Sequence, residues 1–287
     1  MSDSYTRKKM RITITFDEGG GIGSQMVFTS HAMMARIQKQ GAPELPKAQV
    51  SIWGLSQDQM ARLTMLSFDA LSLRRNVIEI QAGEEGSEMA VVFQGEIMNS
   101  APDMNASPSP VMRLEAISAA YPKLIPLSPV AVKGEQTVDS LMQNFAQQAG
   151  MQYRNVGVTA SISNVVINGD PIEKARWLAD TVGADLIIDD DTLVLVSPDK
   201  SRGEAVMIDV INPNTGQIGY PSFDSMGIRA VSFFNRNLMV AGLCRIQSSM
   251  PRASGVWKIY NVTHDISVNL PNGGPWRTEI SGTWIDK

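Results

Sequence analysis

The sequence has a single cysteine, Cys244, and only two histidines, His31 and His264, among its 287 residues. One thiol cannot form a disulfide within the chain, and this scarcity favours folding in a reducing compartment. A zinc site needs three or four ligands, and neither histidine has a cysteine or a second histidine at ligand spacing. We therefore predict no metal site, a small buried Cys244, and ordinary strand positions for both histidines.

Long apolar runs and an excess of positive charge are also missing. No window approaches the roughly 20 apolar residues that cross a bilayer. Residues 1–16 are charged but lack the apolar region of a secretory signal peptide, so we expect no such signal there. The net charge is −4, and no basic run exceeds Arg7-Lys8-Lys9. Because tight binding to nucleic-acid phosphates needs a basic surface, we do not expect it here.

Several acidic or glycine-rich segments resemble chemical motifs, but each lacks a required part. The turn at 17–23 has no Lys-Ser/Thr pair of a P-loop and leads into an extended pattern. Asp189–Asp191 lacks the Gly and distal Glu of a calcium loop. We interpret it as a solvated hairpin turn, with ion binding as the alternative. Glycoside hydrolysis needs two carboxylates at a set distance, which sequence alone cannot assign to Glu96, Asp103 or Glu115. We predict no enzyme activity and no catalytic, cofactor-binding or metal-binding residue.

The sequence does contain two sets of short alternating segments in the same order. Each segment has the period of two that is typical of a half-buried strand. Val50-Ser51-Ile52 corresponds to Val231-Ser232-Phe233, and Arg113-Leu114-Glu115 corresponds to Arg277-Thr278-Glu279. We predict two copies of one antiparallel β-module, with chance similarity between generic strands as the alternative. The segments are 47–54, 77–83, 91–97 and 110–118, followed by 228–235, 243–249, 256–262 and 275–284.

Three segments show the three- and four-residue spacing of amphipathic helices. Residues 57–66 follow Ser56, which forms a capping-box pattern with Gln59. Residues 136–149 and 171–182 are each bounded by start and stop signals. The predicted N-caps of these two helices are Thr137 and Asp170, and the predicted stops are Gly150 and Gly183.

Prolines between residues 121 and 133 predict a domain boundary, because they interrupt both periodic patterns. The predicted domains are a first β-barrel module over 1–125, a small α+β domain over 126–203, and a second β-barrel module over 204–287. Segments 184–188 and 192–196 form a hairpin in the middle domain. The predicted fold class is therefore mainly β with an α+β insertion between two similar antiparallel β-barrel modules.

Specific runs of the sequence resemble a known protein family. The runs 48–56 (AQVSIWGLS), 80–86 (IQAGEEG) and 93–97 (FQGEI) are similar to the first barrel of phage baseplate hub proteins of the late control protein D type. Residues 212–221 (NPNTGQIGYP) and 251–258 (PRASGVWK), with His264 beyond, also resemble that family. The resemblance implies a homotrimeric structural hub in the virion, at the baseplate of a contractile tail, without catalytic activity of its own.

The resemblance also implies a set of partners and a mechanism. These are a tail tube protein or tube initiator above, the central spike below, and neighbouring baseplate proteins. DNA would pass through the ring without specific binding during genome ejection, and assembly would take place in the host bacterial cytoplasm. A trimer of a duplicated module presents six similar units, so it can adapt a six-fold tube to a three-fold spike. The alternatives are a barrel that binds carbohydrate or single strands, with exposed aromatics on one face, and a cell-wall hydrolase.

Overall fold

The computed structural model describes residues 6–17, 23–64, 76–106, 109–120, 128–203 and 208–285. Strands dominate it, and the predicted mainly β fold with an α+β region is confirmed. The chain divides into two compact units. The first comprises Met1–Ile37, Lys47–Ser118 and His264–Trp276, and the second comprises Gln38–Pro46, Ala119–Thr263 and Arg277–Lys287. Each unit thus draws on segments that are remote in sequence.

The first unit is built on one antiparallel sheet in which apolar and polar residues alternate along each strand. Its strands pair in the order β3-β4-β7-β6-β5-β1-β2. The inward side chains, among them Ile12, Ile80 and Phe93, are fully buried. The elements are β1 (Lys8–Thr15), β2 (Gln25–Phe28), β3 (Ala32–Gln40), β4 (Lys47–Trp53), α1 (Gln57–Leu63), β5 (Val77–Glu84), β6 (Ala90–Asp103) and β7 (Val111–Ile117).

The second unit combines an α+β region with a second run of antiparallel strands. In the α+β region the elements are β8 (Val130–Thr137), α2 (Val138–Ala149), β9 (Gln152–Val156), β10 (Ser161–Ile167), α3 (Pro171–Val182), β11 (Asp185–Asp189) and β12 (Thr192–Val196). The strands that follow are β13 (Asp209–Ile211), β14 (Ser222–Phe223), β15 (Ile228–Phe233), β16 (Leu243–Ile246), β17 (Gly255–Val268) and β18 (Trp276–Trp284). The last part of β17 and the first residue of β18 belong to the first unit.

The two predicted repeats have the same strand order. In the front copy the pairing runs β4-β7-β6-β5, and in the rear copy it runs β15-β18-β17-β16. In both copies the first strand pairs with the fourth, the fourth with the third, and the third with the second. The copies differ at their flanks, because β1 pairs with β5 antiparallel whereas β13 pairs with β16 parallel. The predicted repeat is confirmed at the level of strand order, and barrel closure stays a prediction.

Helix boundaries follow the capping signals in the sequence. Ser56 and Gln59 form the predicted capping box, and α1 ends at Leu63 rather than 66. Helix α2 begins at Val138, because Thr137 is its N-cap, and ends at Ala149, followed by the C-cap Gly150 in the left-handed conformation. Helix α3 has the predicted bounds, with Asp170 in a second capping box and Gly183 at its end.

Strand β6 is longer than its pattern predicts. It continues past Ile97 to Asp103 and includes Pro102. Residues 90–96 pair with β5 on one side, whereas residues 96–103 pair with β7 on the other. Pro102 therefore lies where β6 has lost its β5 neighbour, and proline is tolerated at such an edge. Most of the predicted glycine-rich turn (18–22) and most of the predicted domain boundary (121–127) lie outside the described residues.

The hairpin of β11 and β12 is buried on both faces within the second unit. Leu186, Ile188, Leu193 and Leu195 pack in one core together with α2 and α3. Ile187, Val194 and Val196 pack in a second core with residues of the rear repeat, including Ile246, Trp257 and Ile280. Burial on both faces explains why β12 reads TLVLV without polar alternation. The hairpin thus joins the α+β region to the rear repeat.

Candidate interaction surface

The two histidines and the cysteine lie at three separate positions in the fold. Cys244 is fully buried in β16, and burial, with a contribution from Asp209, raises the pKa of its thiol to about 12. The thiol is therefore protonated at neutral pH, as expected of a small core residue. His264 lies in β17, which is the predicted strand position, and its side chain is buried. His31 lies in a bend between β2 and β3, where it packs edge-on against Phe28, so its predicted strand position is wrong.

The acidic candidates occupy separate environments. Glu96 is buried on β6, and Glu115 is exposed on β7. Asp103 forms an exposed salt bridge with Arg113 at 3.2 Å. Within the described ranges, no three His, Cys, Asp or Glu side chains are grouped in a way that could hold a metal ion. No helix in the same ranges is long and apolar enough to cross a membrane.

The predicted solvated turn at Asp189–Asp191 is instead the acidic half of an ion cluster. The Lys39 ammonium lies 2.6 Å from an Asp189 oxygen and 3.2 Å from an Asp190 oxygen, and Arg202 donates to the other Asp189 oxygen. The prediction of a solvated turn is wrong for Asp189 and Asp190, because their side chains are about one-fifth exposed. Only Asp191 is exposed.

Charge pairing decides the ionisation of this cluster. Burial opposes the charge on Asp189, but Lys39 and Arg202 offset it and lower the pKa of the carboxyl to about 2. Burial likewise opposes the charge on Lys39, and the two carboxylates offset it and raise the pKa of its ammonium. Hence Lys39 and Asp189 are both charged at neutral pH. An ammonium and a guanidinium already bind the Asp189 oxygens, so the cluster is structural.

The ion cluster fixes the segment 38–46 within the second unit. Next to the cluster, the Ala42 amide donates to the Leu186 carbonyl at 2.9 Å, and Arg176 donates to the Pro43 carbonyl at 3.0 Å. Ala42 and Leu45 also pack against the core of the α+β region. No sequence pattern predicts the Lys39–Asp189 contact, because the two residues are 150 positions apart.

Exposed apolar side chains concentrate on one part of the second unit. Of the thirteen large apolar side chains that are well exposed in the described ranges, five lie within residues 218–233, and Trp284 of β18 is 50% exposed. The register separates these side chains, because Phe223 lies opposite Ile228 on the buried side of β15, whereas Phe233 lies on the exposed side at the other end of the strand. Phe223 and Trp284 both pack against the buried ring of Trp257. We call Phe223 and Trp284 the aromatic face.

The aromatic face follows the edge strand of the rear repeat. The two residues of β14 pair with Ile228 and Arg229 of β15, and the Ile218 amide donates to the Val231 carbonyl at 2.8 Å. The Trp257 ring lies 6.5 Å from that of Phe223 and meets the Trp284 ring edge-to-face at 4.9 Å. Backbone pairing and ring packing therefore hold these side chains in place before any partner binds.

The charged residues of the region that carries the aromatic face also have the composition of a protein interface. Residues 208–285 contain five exposed arginines and no exposed lysine. Protein interfaces are enriched in aromatic residues, Met and Arg and depleted in Lys. Arg229 pairs with Glu279 at 3.2 Å. Arg236, Arg245 and Arg252 form no side-chain hydrogen bond or ion pair within the described part of the chain, so their charges are available to a partner.

Gly227, in the turn that leads into β15, should tolerate no side chain. Its φ is +152°, and a Cβ there would lie 2.1 Å from the Gly282 carbonyl oxygen. We expect Gly227→Ala to lower the free energy of unfolding by about 3 kcal/mol, through strain and displacement of β18. The matched control is Gly219→Ala, which has φ +68° and open space around its Cβ, and should cost about 1 kcal/mol. Urea denaturation measures both, and equal losses would contradict the steric argument.

Comparisons with known proteins agree on one group. The model of a family described as baseplate hub gp41 matches residues 9–269. The fold is similar to that of a tail protein from Neisseria meningitidis MC58, with a TM-score of 0.60, 11% identity, and coverage of 95% of this chain and 96% of that one. A 43 kDa tail protein of prophage MuSo2 from Shewanella oneidensis gives a TM-score of 0.62, 10% identity, and coverage of 95% and 96%.

A third structure comes from a secretion system. The E. coli c3393 protein, a component of the type VI secretion system, has a TM-score of 0.59 and 8% identity, and the match covers 89% of this chain and 74% of that one. At such identities the three structures show a shared fold. No curated protein is a significant match to the sequence.

Proposed function

Because this chain belongs to the baseplate hub gp41 family, we propose that it forms a homotrimeric ring joining a six-fold tail tube to a three-fold central spike. The observation that carries the proposal is the repeated strand order β4-β7-β6-β5 and β15-β18-β17-β16. Three chains with two similar sheets each present six similar surfaces to the tube. The flanks of the two sheets differ, so the ring retains three-fold symmetry for the spike.

The proposed partners follow from this geometry. A tube protein or tube initiator would bind the pseudo-six-fold side, the central spike would bind the three-fold side, and neighbouring baseplate proteins would surround the ring. The role is mechanical and requires no catalytic group: the hub holds the spike until the tail contracts, then releases it. We place the protein in the virion baseplate, after folding and assembly in the host bacterial cytoplasm.

Passage of DNA without specific binding fits the outward residues of the first sheet. Opposite charges and neutral polar groups alternate there, since Ser51 lies opposite Arg113 and Gln49 opposite Glu115. Tight phosphate binding needs several cations on one surface, and this mixture of charges does not supply them. The central channel of the proposed ring would have to admit duplex DNA, roughly 20 Å across judging from its groove dimensions.

One observation favours a second candidate function. Exposed aromatic rings and arginines are also what single-strand-binding barrels use, and residues 208–285 expose four aromatic rings and five arginines. The hub proposal explains the repeated sheet as well, which binding a single strand does not require. Titration with a labelled oligonucleotide separates the two, because only the second candidate predicts saturable binding that weakens with salt.

Imaging of tail particles by cryo-electron microscopy tests the hub proposal. We expect three copies in one ring between tube and spike, with two alternating kinds of sheet contact around it. The internal control is to count copies of this protein against tube subunits in the same particles, because the tube has six-fold symmetry. A ring of six copies, or a position at the baseplate periphery without contact to tube or spike, would rule the proposal out.

A further inference from the structure

The second unit contains a groove of about 570 Å³. Every described residue that lines the groove belongs to that unit. Its volume falls within the range of about 300 to 1,000 Å³ that is typical of ligand pockets, which are mostly apolar with a few polar groups. Nine of its sixteen lining residues are apolar, so the groove has the size and the lining of a binding site. The lining comes from residues 40–44, 184–187, 240–241 and 258–260, together with Met226 and Thr283.

One side of the groove is the outer edge of a β-strand. Strand β11 lies at the edge of its sheet, which has the order β11-β12-β9. The Leu186 carbonyl points away from β12, because it accepts from the Ala42 amide at 2.9 Å. The N–H and C=O of one residue in an antiparallel strand point to the same side. The Leu186 amide therefore also points away from β12, and it has no acceptor within the described residues. An extended segment of another protein can pair with such an edge.

The charged groups of the groove favour a cationic side chain. The Lys258 ammonium already binds one Asp185 oxygen at 2.8 Å and the Pro198 carbonyl at 3.4 Å. The other Asp185 oxygen has no partner in the described ranges, and the Asp185 side chain is 54% exposed. Glu44 is exposed and Tyr260 is half-buried in the same lining. A lysine or arginine suits these surroundings, because its apolar stem can contact the apolar lining while its charged group stays beside the carboxylates.

We propose that this groove binds an extended segment of a neighbouring baseplate protein, with a lysine or arginine of that segment beside Asp185 and Glu44. The segment pairs with the outer edge of β11 and so adds a strand to the sheet β11-β12-β9. The inference rests on the baseplate position in the proposed function and deepens it by assigning a surface to one kind of neighbour. Nucleic acid suits the groove poorly, because the two carboxylates repel phosphates.

The first experiment places a photo-cross-linker in the groove. Met226 lines the groove and is 62% exposed, so p-benzoylphenylalanine in its place can reach an occupant. In tail particles we expect a cross-link to another virion protein, mapped by mass spectrometry to a non-helical segment that contains lysine or arginine. Val166 of β10 is 61% exposed and lies outside the groove. The same label at position 166 is the matched control, and should give this product at least roughly tenfold less.

The second experiment fills the groove and leaves its walls unchanged. Gly41 lines the groove, and a Cβ added there would meet only the Leu186 carbonyl oxygen among the described residues, at the ordinary contact distance of 3.9 Å. Gly41→Trp should therefore fold, occupy the groove and lower the cross-link yield from position 226 at least roughly tenfold. Gly41→Ala is the matched control, because it adds only the Cβ and should keep the yield. Circular dichroism and thermal unfolding check that both variants are folded.

The third experiment tests the charge with a synthetic peptide that has the mapped sequence. Replacing its lysine or arginine by norleucine should weaken binding to the wild-type chain roughly tenfold, and should have little effect on binding to Asp185→Asn, because the two changes remove the same contact. Asp180→Asn is the control, since Asp180 is exposed on α3 and lies outside the groove. That variant should distinguish the two peptides as the wild type does. Fluorescence anisotropy of the labelled peptides measures each affinity.

The outcomes separate this inference from the hub proposal. If position 226 cross-links no better than position 166, or if Gly41→Trp leaves the yield unchanged, the groove is not the binding site, whereas a trimeric ring seen by imaging would stand. Cross-links only to DNA or to a second copy of this chain would also contradict the inference, as would a peptide whose cation is equally important for wild type and Asp185→Asn. If imaging instead shows six copies and Gly41→Trp still abolishes the cross-link, the hub proposal fails and the groove assignment stands.

Discussion

Replacing Lys39 with Met should lower the free energy of unfolding by about 3 to 5 kcal/mol, the range seen when one partner of a buried ion pair is removed. The ammonium lies 2.6 Å from Asp189 and 3.2 Å from Asp190. Without the ammonium, Asp189 keeps its contact with Arg202, but two adjacent carboxylates remain in a poorly solvated site that has lost its central cation. Thermal or urea unfolding of the second unit measures the effect.

The control for this substitution is an exposed ion pair. Arg113 and Asp103 lie 3.2 Å apart with most of the arginine side chain in solvent, so Arg113→Met should cost less than about 1 kcal/mol. If the two variants lose similar amounts of unfolding free energy, the buried ion cluster contributes no more to stability than an exposed ion pair. Lowering the pH should reduce the difference in the free energy of unfolding between the wild type and Lys39→Met. A depressed folded-state pKa stabilises the protein above the unfolded value and ceases to do so as pH falls towards about 2, the folded-state pKa of Asp189.

Leu195→Ala is the second large expected loss, at about 2 to 5 kcal/mol. The Leu195 side chain is fully buried against α2 and α3, while the adjacent Val194 packs in the core of the rear repeat. Because one hairpin serves both cores, the substitution should reduce hydrogen-exchange protection in the rear repeat as well as in the helices. Val166→Ala, on an exposed site, should change stability by less than about 0.5 kcal/mol. Protection lost from the helices alone would mean that the two cores unfold independently.

Local signals in the sequence were sufficient for the helices and for the repeated strands. The N-cap of α3 illustrates why, since the Asp170 carboxylate accepts from the amides of Ile172 and Glu173 at 2.8 Å, only two and three residues away. The repeat was equally visible, because alternation along a half-buried strand records which face is buried. Both kinds of signal lie within about ten residues of the structure that they determine.

The missed features depend on contacts between distant residues. In the sequence, Lys39 is one more polar residue of an alternating strand. Its carboxylate partners belong to a hairpin turn whose sequence predicts exposure to solvent. Strand β8 was not predicted, because five consecutive residues of it are exposed and the alternation is lost. The exposure of Phe233 was missed for a related reason: Phe233 lies in a regular strand pattern, and only the fold shows that its side chain points to solvent.

Residues 264–276 belong to the first unit although they lie near the end of the sequence, and this affects folding during synthesis. The side chain of Asn269 donates to the carbonyl of His31, and these residues are 238 positions apart. At a ribosomal rate of about 5 to 20 residues per second, their encounter is delayed by roughly 12 to 48 seconds. The nascent first unit therefore waits unfinished until its closing segment, His264–Trp276, has been translated. Chaperones that shield unpaired strand edges would matter most in this interval, and a chain terminated before residue 264 would complete neither unit.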